Sequence, residues 1–420
     1  MNETFPQRRP LLASRWGRLT VLGMLYLVQG LPFGFQVGAL PVFLREQGVG
    51  LALIGYSTAL AAPWAFKILW APLVEHLGGG PGSRTRWIFP LQVAMATGFI
   101  VAAQLSVKDD LVPLMGVLLL LNALAATQDI AVDGLAVDLL PPHELGVGNA
   151  AQVVGYKLGM LVAGGVLVWS SAWLGWDGAF YAMAGLVTFI ALVVSRVEEP
   201  VPDGLCAEEP VESIRDVLGA LRASVASPGL GLALAVVATY KMGESIIDVM
   251  YKPFLMDQGI SASQLGLWLG TWGMGASVAG SVVGGLLATR FRLFRVLMVA
   301  GVVRLIPEIG QLSLATGWLE ISSFSVVGIS LAEHFAGGAL TTAMFATMMG
   351  MVDRRIGATH FTLFACVEVW GKSIAALMSG VIAEHFDYSG AFGLGVFLGL
   401  VFLAMVSRLP NELEPSLQRR

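Results

Sequence analysis

The chain of 420 residues carries little charge, because Asp, Glu, Lys and Arg make up only 13% of it. An ordinary soluble domain has about 25% charged residues, and 56% of this chain is hydrophobic. This composition excludes a soluble enzyme and a disordered chain. The formal net charge of −4 excludes the basic surface of a nucleic-acid-binding protein. The two cysteines, Cys206 and Cys366, are too few for a disulfide framework, and we expect them to lie apart.

The sequence also lacks the motifs of several catalytic classes. It contains no nucleotide-binding loop of the G-x-x-x-x-G-K-[ST] type, and its longest polar segment is far too short for an ATPase domain. Its five histidines are scattered without the spacing of metal ligands. We therefore expect no catalytic residue, no cofactor and no metal site, which argues against an enzyme.

Twelve apolar runs follow one another, each about long enough to span a bilayer as a helix. A spanning backbone must satisfy its own hydrogen bonds, and the runs are too long for barrel strands, so helices are predicted. The predicted fold class is an all-α membrane protein with twelve transmembrane helices in two pseudo-symmetric six-helix bundles. The runs lie near residues 19–44, 51–76, 87–106, 111–140, 146–171, 176–195, 229–256, 262–289, 293–316, 319–351, 357–383 and 388–408.

An acidic, proline-containing segment between the sixth and seventh runs divides the chain near its middle. Arginine is concentrated in the segments on the same side as the N-terminus, so both termini are expected in the cytoplasm. The first run has no cleavage site after it, and we interpret it as a retained span. The expected parts are an N-terminus (1–18), a first bundle (19–196), a cytoplasmic linker (197–228) with a surface helix near 211–226, a second bundle (229–408) and a cytoplasmic tail (409–420).

The two halves of the chain resemble each other. The sequence FLREQGV at 43–49 aligns with FLMDQGI at 254–260, an offset of 211 residues that Gly146 and Gly357 share. Two parallel six-helix repeats are typical of the major facilitator superfamily. By analogy with that fold, the substrate site is expected near the membrane midplane between the halves, lined by the first, fourth, seventh and tenth spans.

About a dozen ionisable residues fall inside the predicted spans, where each costs about 2.5–3.5 kcal/mol. Five of the six lysines are among them, and a buried ammonium can release its proton. Asp129 and Asp133 stand four residues apart with no base on their own helix. Either one of them is protonated or both meet Lys67 and Lys157, and we expect a network of these two acids and two bases. The network either only holds helices together or couples transport to protons, with Asp129, Asp133 and Lys157 in that role.

The seventh run carries a polar stripe of Lys241, Glu244, Asp248 and Lys252 at spacings of 3, 4 and 4 residues. Such a stripe has to face the protein interior. We interpret Lys241 as the contact for a substrate anion, with Glu244 as the acid beside it. Glu333 in the tenth run is a candidate proton site.

Pairing within one helix is the structural alternative for several of these charges. Residues four apart lie on one helix face and can form ion pairs without any further role. The pairs with this spacing are Arg304 and Glu308, Asp248 and Lys252, and Glu368 and Lys372.

Several runs of residues resemble one transporter family. ATQDIAVDG at 126–134 resembles the fourth-span signature shared by AmpG muropeptide permeases and acetyl-coenzyme A transporters, and GYKLGMLV at 155–162 resembles the AmpG fifth-span motif. FKILWAPLVE at 66–75 and YKMGE at 240–244 resemble the family's second- and seventh-span motifs, with Glu75 and Glu244 where Asp is usual. The stretch YLVQGLP at 26–32 also resembles major facilitator superfamily domain-containing protein 3.

The resemblance implies a secondary active transporter, expected to be proton-coupled, that moves a bulky anionic solute such as an anhydro-muropeptide. The alternatives are a transporter of acetyl-coenzyme A or another coenzyme A thioester, and a transporter-like sensor or structural membrane protein without transport. Gln128 and Tyr156 stand in the matching motifs and join Lys67, Lys241 and Glu244 as candidate substrate contacts. The expected setting is a bacterial inner membrane, with the solute, protons and lipid as partners, no nucleic acid, and a monomeric state.

Overall fold

The computed structural model describes residues 11–49, 57–77, 83–106, 109–199 and 213–413, and within them the chain is helical without a strand. This confirms the predicted all-α class. The longer helices are α1 (Arg15–Gly34), α2 (Thr85–Ala103), α3 (Leu111–Leu139), α4 (Leu145–Leu161), α5 (Leu167–Val194), α6 (Ile214–Val225), α7 (Leu230–Thr239), α8 (Met242–Asp257), α9 (Gly273–Arg290), α10 (Leu293–Ala315), α11 (Ser323–Gly350) and α12 (Gly357–Val406). Shorter helical pieces are Leu11–Ala13, Phe35–Ala39, Leu40–Glu46, Ser57–Ala61, Ala62–Phe66, Lys67–Leu69, Ala71–Leu77, Pro142–Glu144, Val162–Val166, Ala262–Leu265, Gly266–Trp272, Arg354–Ile356 and Asn411–Leu413.

Eight helices in the described ranges are long and apolar enough to cross a membrane. One of them, Arg354–Val406, is interrupted at Phe386 and Asp387 and covers the last two predicted runs. Helices α10 and α11 cover the ninth and tenth runs, whereas the second run is a series of short helices. The protein is therefore a multi-pass helical membrane protein, and the count of twelve spans stays a prediction.

The second predicted run is broken because proline interrupts it twice. Pro63 and Pro72 each stand near the start of a short helix, Ala62–Phe66 and Ala71–Leu77. Proline lacks the amide proton that a continuous helix needs and disfavours helical backbone in the residue before it. The short turn Lys67–Leu69 lies between these two helices, so Lys67 stands at a helix break.

The chain forms two compact units. The first contains the ranges Met1–Leu140, Gly155–Leu218 and Arg354–Thr359, and the second contains Pro141–Val154, Gly219–Asp353 and His360–Arg420. Each unit thus includes a short segment from the opposite half of the sequence. In the second unit, the amide of Val147 donates to the Thr289 hydroxyl at 3.0 Å.

The sequence repeat has a counterpart in the backbone of the two units. Each repeated run ends its helix at a glycine with positive φ, Gly48 (φ 81°) and Gly259 (φ 85°). In both units the amide of the next residue donates to the carbonyl five residues earlier, at 3.0 and 3.1 Å. Glycine adopts this left-handed conformation without steric cost, so the shared residue has a shared physical reason.

The repeat extends to side-chain contacts near the end of each run. In the first unit the Trp176 ring nitrogen donates to Glu46 at 2.9 Å, and in the second the Tyr388 hydroxyl donates to Asp257 at 2.6 Å. The phenylalanine that opens each run packs on the aromatic ring of its own unit. The ring centroids are 4.6 Å apart for Phe43 and Trp176 and 5.4 Å apart for Phe254 and Tyr388. Trp176 and Tyr388 follow kinks at Gly175 and at Phe386–Asp387.

Close packing of glycines joins α1 to α4 in the first unit. A methyl group added at Gly30 would lie 3.0 Å from the Met160 nitrogen and 3.1 Å from the Gly159 Cα. Small residues of this kind let two helix backbones approach closely in a membrane. This contact fixes the position of Tyr156, one turn before Gly159 on α4.

The linker between the halves contains the predicted surface helix. Helix α6 runs from Ile214 to Val225, and most of its residues are exposed while Val217 is buried. Residues 211 and 212 and Cys206 lie outside the described residues.

Candidate functional site

The first unit brings one lysine and two aspartates together. The Lys67 ammonium contacts the Asp129 carboxylate, and it lies 3.6 Å from the second acid, Asp133. Asp133 also accepts a hydrogen bond from the Tyr26 hydroxyl of α1. All four side chains are buried. The sequence predicted that Lys67 and Lys157 would both meet the two acids; Lys67 contacts them here, and the meeting with Lys157 stays a prediction.

Helix breaks position both of the lysines that the sequence favoured as substrate contacts. Lys67 opens the short turn between two helices, and Lys241 stands between the end of α7 and the start of α8, with φ −107° and ψ −2°. Irregular backbone at membrane depth is tolerated where it is buried in protein or lines a water-filled cavity. No proline stands at the break around Lys241, and no local sequence signal predicted it.

The remaining candidates of the first unit lie on α3 and α4. Gln128 is buried, and its amide nitrogen and oxygen have no hydrogen-bond partner among the described residues. Tyr156 is half-buried, with its ring centroid 6.1 Å from Phe33 and 6.4 Å from Trp64. Lys157 follows it on α4 and is also half-buried.

The second unit contains a larger ionic cluster around Arg304 of α10. The Arg304 guanidinium lies 2.8 Å from Glu333 of α11, 3.4 Å from Glu244 of α8 and 3.5 Å from Glu308 on its own helix. It also donates to the backbone carbonyl of Glu333 at 3.2 Å. Arg304 is 3% exposed, so three carboxylates from three helices share one buried positive charge.

Two further basic groups complete this cluster. The Lys241 ammonium donates to Glu244 at 2.9 Å, and His334 contacts the Glu333 carboxylate beside it on α11. Carboxylate oxygens of Glu244, Asp248 and Glu333 all lie within 4.8 Å of one another. The predicted substrate pair and the predicted proton site therefore belong to one connected group of charges.

Pairing within single helices explains only part of these contacts. Lys372 donates to Glu368 at 3.0 and 3.1 Å, which confirms that predicted pair. Asp248 and Lys252 are both exposed and, in the described part of the chain, are not paired with each other. The Arg304 contact to Glu308 exists, but its shortest contact is to Glu333 on another helix.

A separate buried cluster surrounds Arg84, at the start of α2. Its guanidinium lies 2.6 Å from Glu75 and 3.1 Å from Asp138, and Glu75 also accepts the amide of Thr359 at 2.7 Å. Burial lowers the pKa of Arg84, but the charges of Glu75 and then Asp138 outweigh it, so the pKa stays above its ordinary value. The Arg84 guanidinium therefore stays protonated over the whole physiological range.

Sequence reasoning missed Arg304, Tyr26 and Trp64 as members of these sites. Arg304 stood four residues from Glu308, so its spacing suggested an internal pair and gave no sign of the acids on other helices. A single intramembrane arginine among several unpaired acids was the one signal that could have marked it. Tyr26 and Trp64 carried no such signal, because aromatic residues are common in spans.

Comparison with known proteins finds transporters among the similar sequences. The family model described as acetyl-coenzyme A transporter 1 matches residues 18–112 and 103–170. The anhydromuropeptide permease of Escherichia coli (strain K12) is 27% identical over 376 residues, which cover 89% of this chain and 75% of that protein. The family model and the permease both describe transporters, which agrees with the prediction that this chain is not an enzyme.

Solved structures show the same fold at lower sequence identity. The transporter FucP of the major facilitator superfamily, in its outward conformation, has a TM-score of 0.72 at 13% identity and covers 93% of this chain and 98% of its own. The human organic anion transporter MFSD10 has a TM-score of 0.70 at 15% identity, with 94% and 100% covered. The chain is thus a multi-pass membrane protein with the fold of major facilitator transporters, and it is similar in sequence to an AmpG-type anhydromuropeptide permease over most of its length and to acetyl-coenzyme A transporters over residues 18–170.

Proposed function

We propose that this protein is a proton-coupled secondary active transporter that moves an anhydro-muropeptide or a closely similar bulky anion by alternating access. The observation that carries the proposal is the buried Lys67 cluster, in which two carboxylates surround one ammonium. The permease relative, similar over most of this chain, supports the choice of solute.

The balance of charges in the first unit supports proton coupling. With Asp129 and Asp133 both ionised and Lys67 protonated, the cluster carries one net negative charge in a buried place. An uncompensated buried charge is costly, and one bound proton removes it. A proton that binds and leaves here would change the charge of the cluster between its loaded and empty states.

The exposure of Lys241 supports an anionic solute. Its side chain is 21% exposed, whereas that of Arg304 is 3% exposed. A lysine ammonium has three donors, and among the described residues Lys241 gives one of them to Glu244. Two donors are left for oxygens of a substrate carboxylate or phosphate.

A coenzyme A thioester is the second candidate solute. It is supported by the acetyl-coenzyme A transporter model, which matches only the first part of the chain, residues 18–170. The permease relative covers 89% of the chain and both of its halves, and for that reason we favour the muropeptide.

The proposed setting is a bacterial inner membrane with both termini in the cytoplasm. The arginine distribution supports the orientation. Lipid surrounds the protein, and we propose that the monomer is sufficient for transport.

Uptake into proteoliposomes tests the proposed function. We expect labelled anhydro-muropeptide to accumulate when the outside is made acidic, and accumulation to stop when a protonophore collapses the gradient. Unlabelled coenzyme A should compete weakly. Uptake that proceeds identically with and without the gradient would remove the symport, and strong competition by coenzyme A alone would reassign the solute.

The variant Asp129→Asn is expected to uncouple transport from pH. Without that carboxylate, Lys67 and Asp133 form a neutral pair that needs no proton, so solute should still equilibrate but no longer accumulate against its gradient. The measurement is the ratio of internal to external solute at several external pH values. Asp109→Asn, an exposed acid in the loop before the same helix, serves as the control and should keep the wild-type profile. An Asp129→Asn profile that follows the wild type excludes Asp129 from coupling.

A further inference from the structure

Three aromatic rings, one of them the candidate substrate contact Tyr156, form a group in the first unit. Phe33 of α1, Trp64 of the broken second run and Tyr156 of α4 are each half-buried. Their ring centroids are 6.5 Å apart for Phe33 and Trp64, 6.1 Å for Phe33 and Tyr156, and 6.4 Å for Trp64 and Tyr156. Each ring touches the other two, so the three form one continuous surface, here called the aromatic basin.

The aromatic basin adjoins the ionic cluster and not a purely apolar surface. The Lys67 ammonium lies 5.9 Å from the centroid of the Trp64 ring, within the range of a cation–π contact. Trp64 and Lys67 both belong to the stretch where the helix is broken. Charges and broken backbone in a membrane protein face the interior or a wet cavity, so the basin lies on the same polar side.

A hydrogen bond fixes the orientation of the Trp64 ring. The Trp64 ring nitrogen donates to the Asn122 side-chain oxygen at 3.0 Å, and the Asn122 amide donates to the Leu118 carbonyl on α3 at 3.0 Å. Tyr156 is held by the close contact of α4 with α1 at Gly30. A surface that is set before a ligand arrives binds with a smaller entropic cost.

The angles between the rings exclude a ligand whose planar aromatic ring is stacked between two of these side chains. Trp64 stands at 73° to Phe33 and at 81° to Tyr156, so its plane is nearly perpendicular to both. Phe33 and Tyr156 are tilted by 37° with centroids 6.1 Å apart. A planar ring inserted between two others needs about 7 Å, twice the contact distance of about 3.5 Å. The basin therefore presents angled walls that suit a puckered ring with an apolar face.

We infer that the aromatic basin of Phe33, Trp64 and Tyr156 is the subsite for a saccharide ring of the transported solute. A pyranose offers a face of C–H bonds that packs on aromatic carbon and a rim of hydroxyls for polar neighbours such as the Tyr156 hydroxyl. Aromatic side chains with a polar tip are suited to such mixed surfaces. The inference rests on the proposed function, because it assigns the sugar part of a muropeptide-like solute to this unit.

Competition by parts of the solute tests the subsite. The uptake of labelled anhydro-muropeptide into proteoliposomes is measured in the presence of two competitors, the peptide-free anhydro-disaccharide and the sugar-free stem peptide. In Trp64→Leu we expect the inhibition constant of the disaccharide to rise about tenfold, while that of the stem peptide stays unchanged. Trp64→Phe should lose less, because it keeps a ring face. Trp169→Leu, which removes an exposed ring that packs on Trp173, is the matched control and should change neither constant.

The outcomes separate this inference from the proposed function. If wild-type protein transports the muropeptide but Trp64→Leu weakens both competitors equally or neither, the sugar subsite is wrong and the transport proposal stands. If wild-type protein transports no muropeptide, thermal stabilisation of detergent-solubilised protein by the disaccharide decides. Stabilisation of the wild type that is lost in Trp64→Leu supports the subsite, and no stabilisation of the wild type overturns it. Phe33→Leu replaces Trp64→Leu in both assays if that variant does not fold.

Discussion

Replacing Arg304 with methionine is expected to destabilise the protein by about 3–5 kcal/mol and to abolish transport. The substitution keeps much of the side-chain volume but removes the only guanidinium among Glu244, Glu308 and Glu333 in the described part of the chain. The carboxylates then share Lys241 and His334 alone, in a place where Arg304 was 3% exposed. Breaking a buried ionic group by removing one partner is costly because the remaining charge stays desolvated.

The measurement is the free energy of unfolding in detergent, together with uptake by the fraction that folds. Arg295→Met removes an exposed arginine from the same helix and should change stability by less than about 0.5 kcal/mol. A triple variant that also carries Glu308→Gln and Glu333→Gln should recover much of the stability, because it removes the excess negative charge. Wild-type stability in Arg304→Met alone would show that the acids are already neutral or hydrated.

Lys241→Ala is expected to lower uptake at limiting solute by about 10- to 100-fold while the protein still folds. The substitution removes the ammonium that we propose for the solute anion, and a hydrogen bond to a charged group contributes about 1.5–3 kcal/mol. Folding should survive because Glu244 keeps its contact to Arg304 at 3.4 Å, and the side chain of Lys241 was already 21% exposed.

Initial uptake rates at several solute concentrations measure this effect. Lys241→Arg, which keeps the charge but not the geometry, should restore part of the affinity. Lys252→Ala, an exposed lysine of α8, is the matched control and should behave as wild type. Normal affinity in Lys241→Ala with normal expression would falsify its assignment to the substrate.

Much of the architecture could be read from hydrophobicity and repetition. The apolar runs predicted helices at membrane length, and most of these helices are present with bounds shifted by a few residues. The aligned runs at 43–49 and 254–260 predicted two related halves. In both runs the helix ends at a glycine with positive φ. The second run was the exception, because two prolines divided a stretch that hydropathy alone described as continuous.

The candidate site was predictable only in part. An ionisable residue in an apolar run indicates a buried site whatever its partner is. The residues that this signal identified are Lys67, Asp129, Asp133, Lys241, Glu244 and Glu333. Spacing along one helix, however, identifies partners only three or four residues away. It found Lys241 with Glu244 and Lys372 with Glu368, but it assigned Arg304 to Glu308 and not to Glu333.

The sequence by itself determined that this protein lives in a membrane, that it is built from helices in two related halves, and that charges are kept inside the spans. Those properties follow from composition and periodicity, which act on each segment separately. Only the tertiary structure decided which charges meet, where the second and seventh runs break, and that Phe33, Trp64 and Tyr156 share a surface. The rotation and close approach of neighbouring helices set those contacts, and they depend on packing between segments that are far apart in the chain.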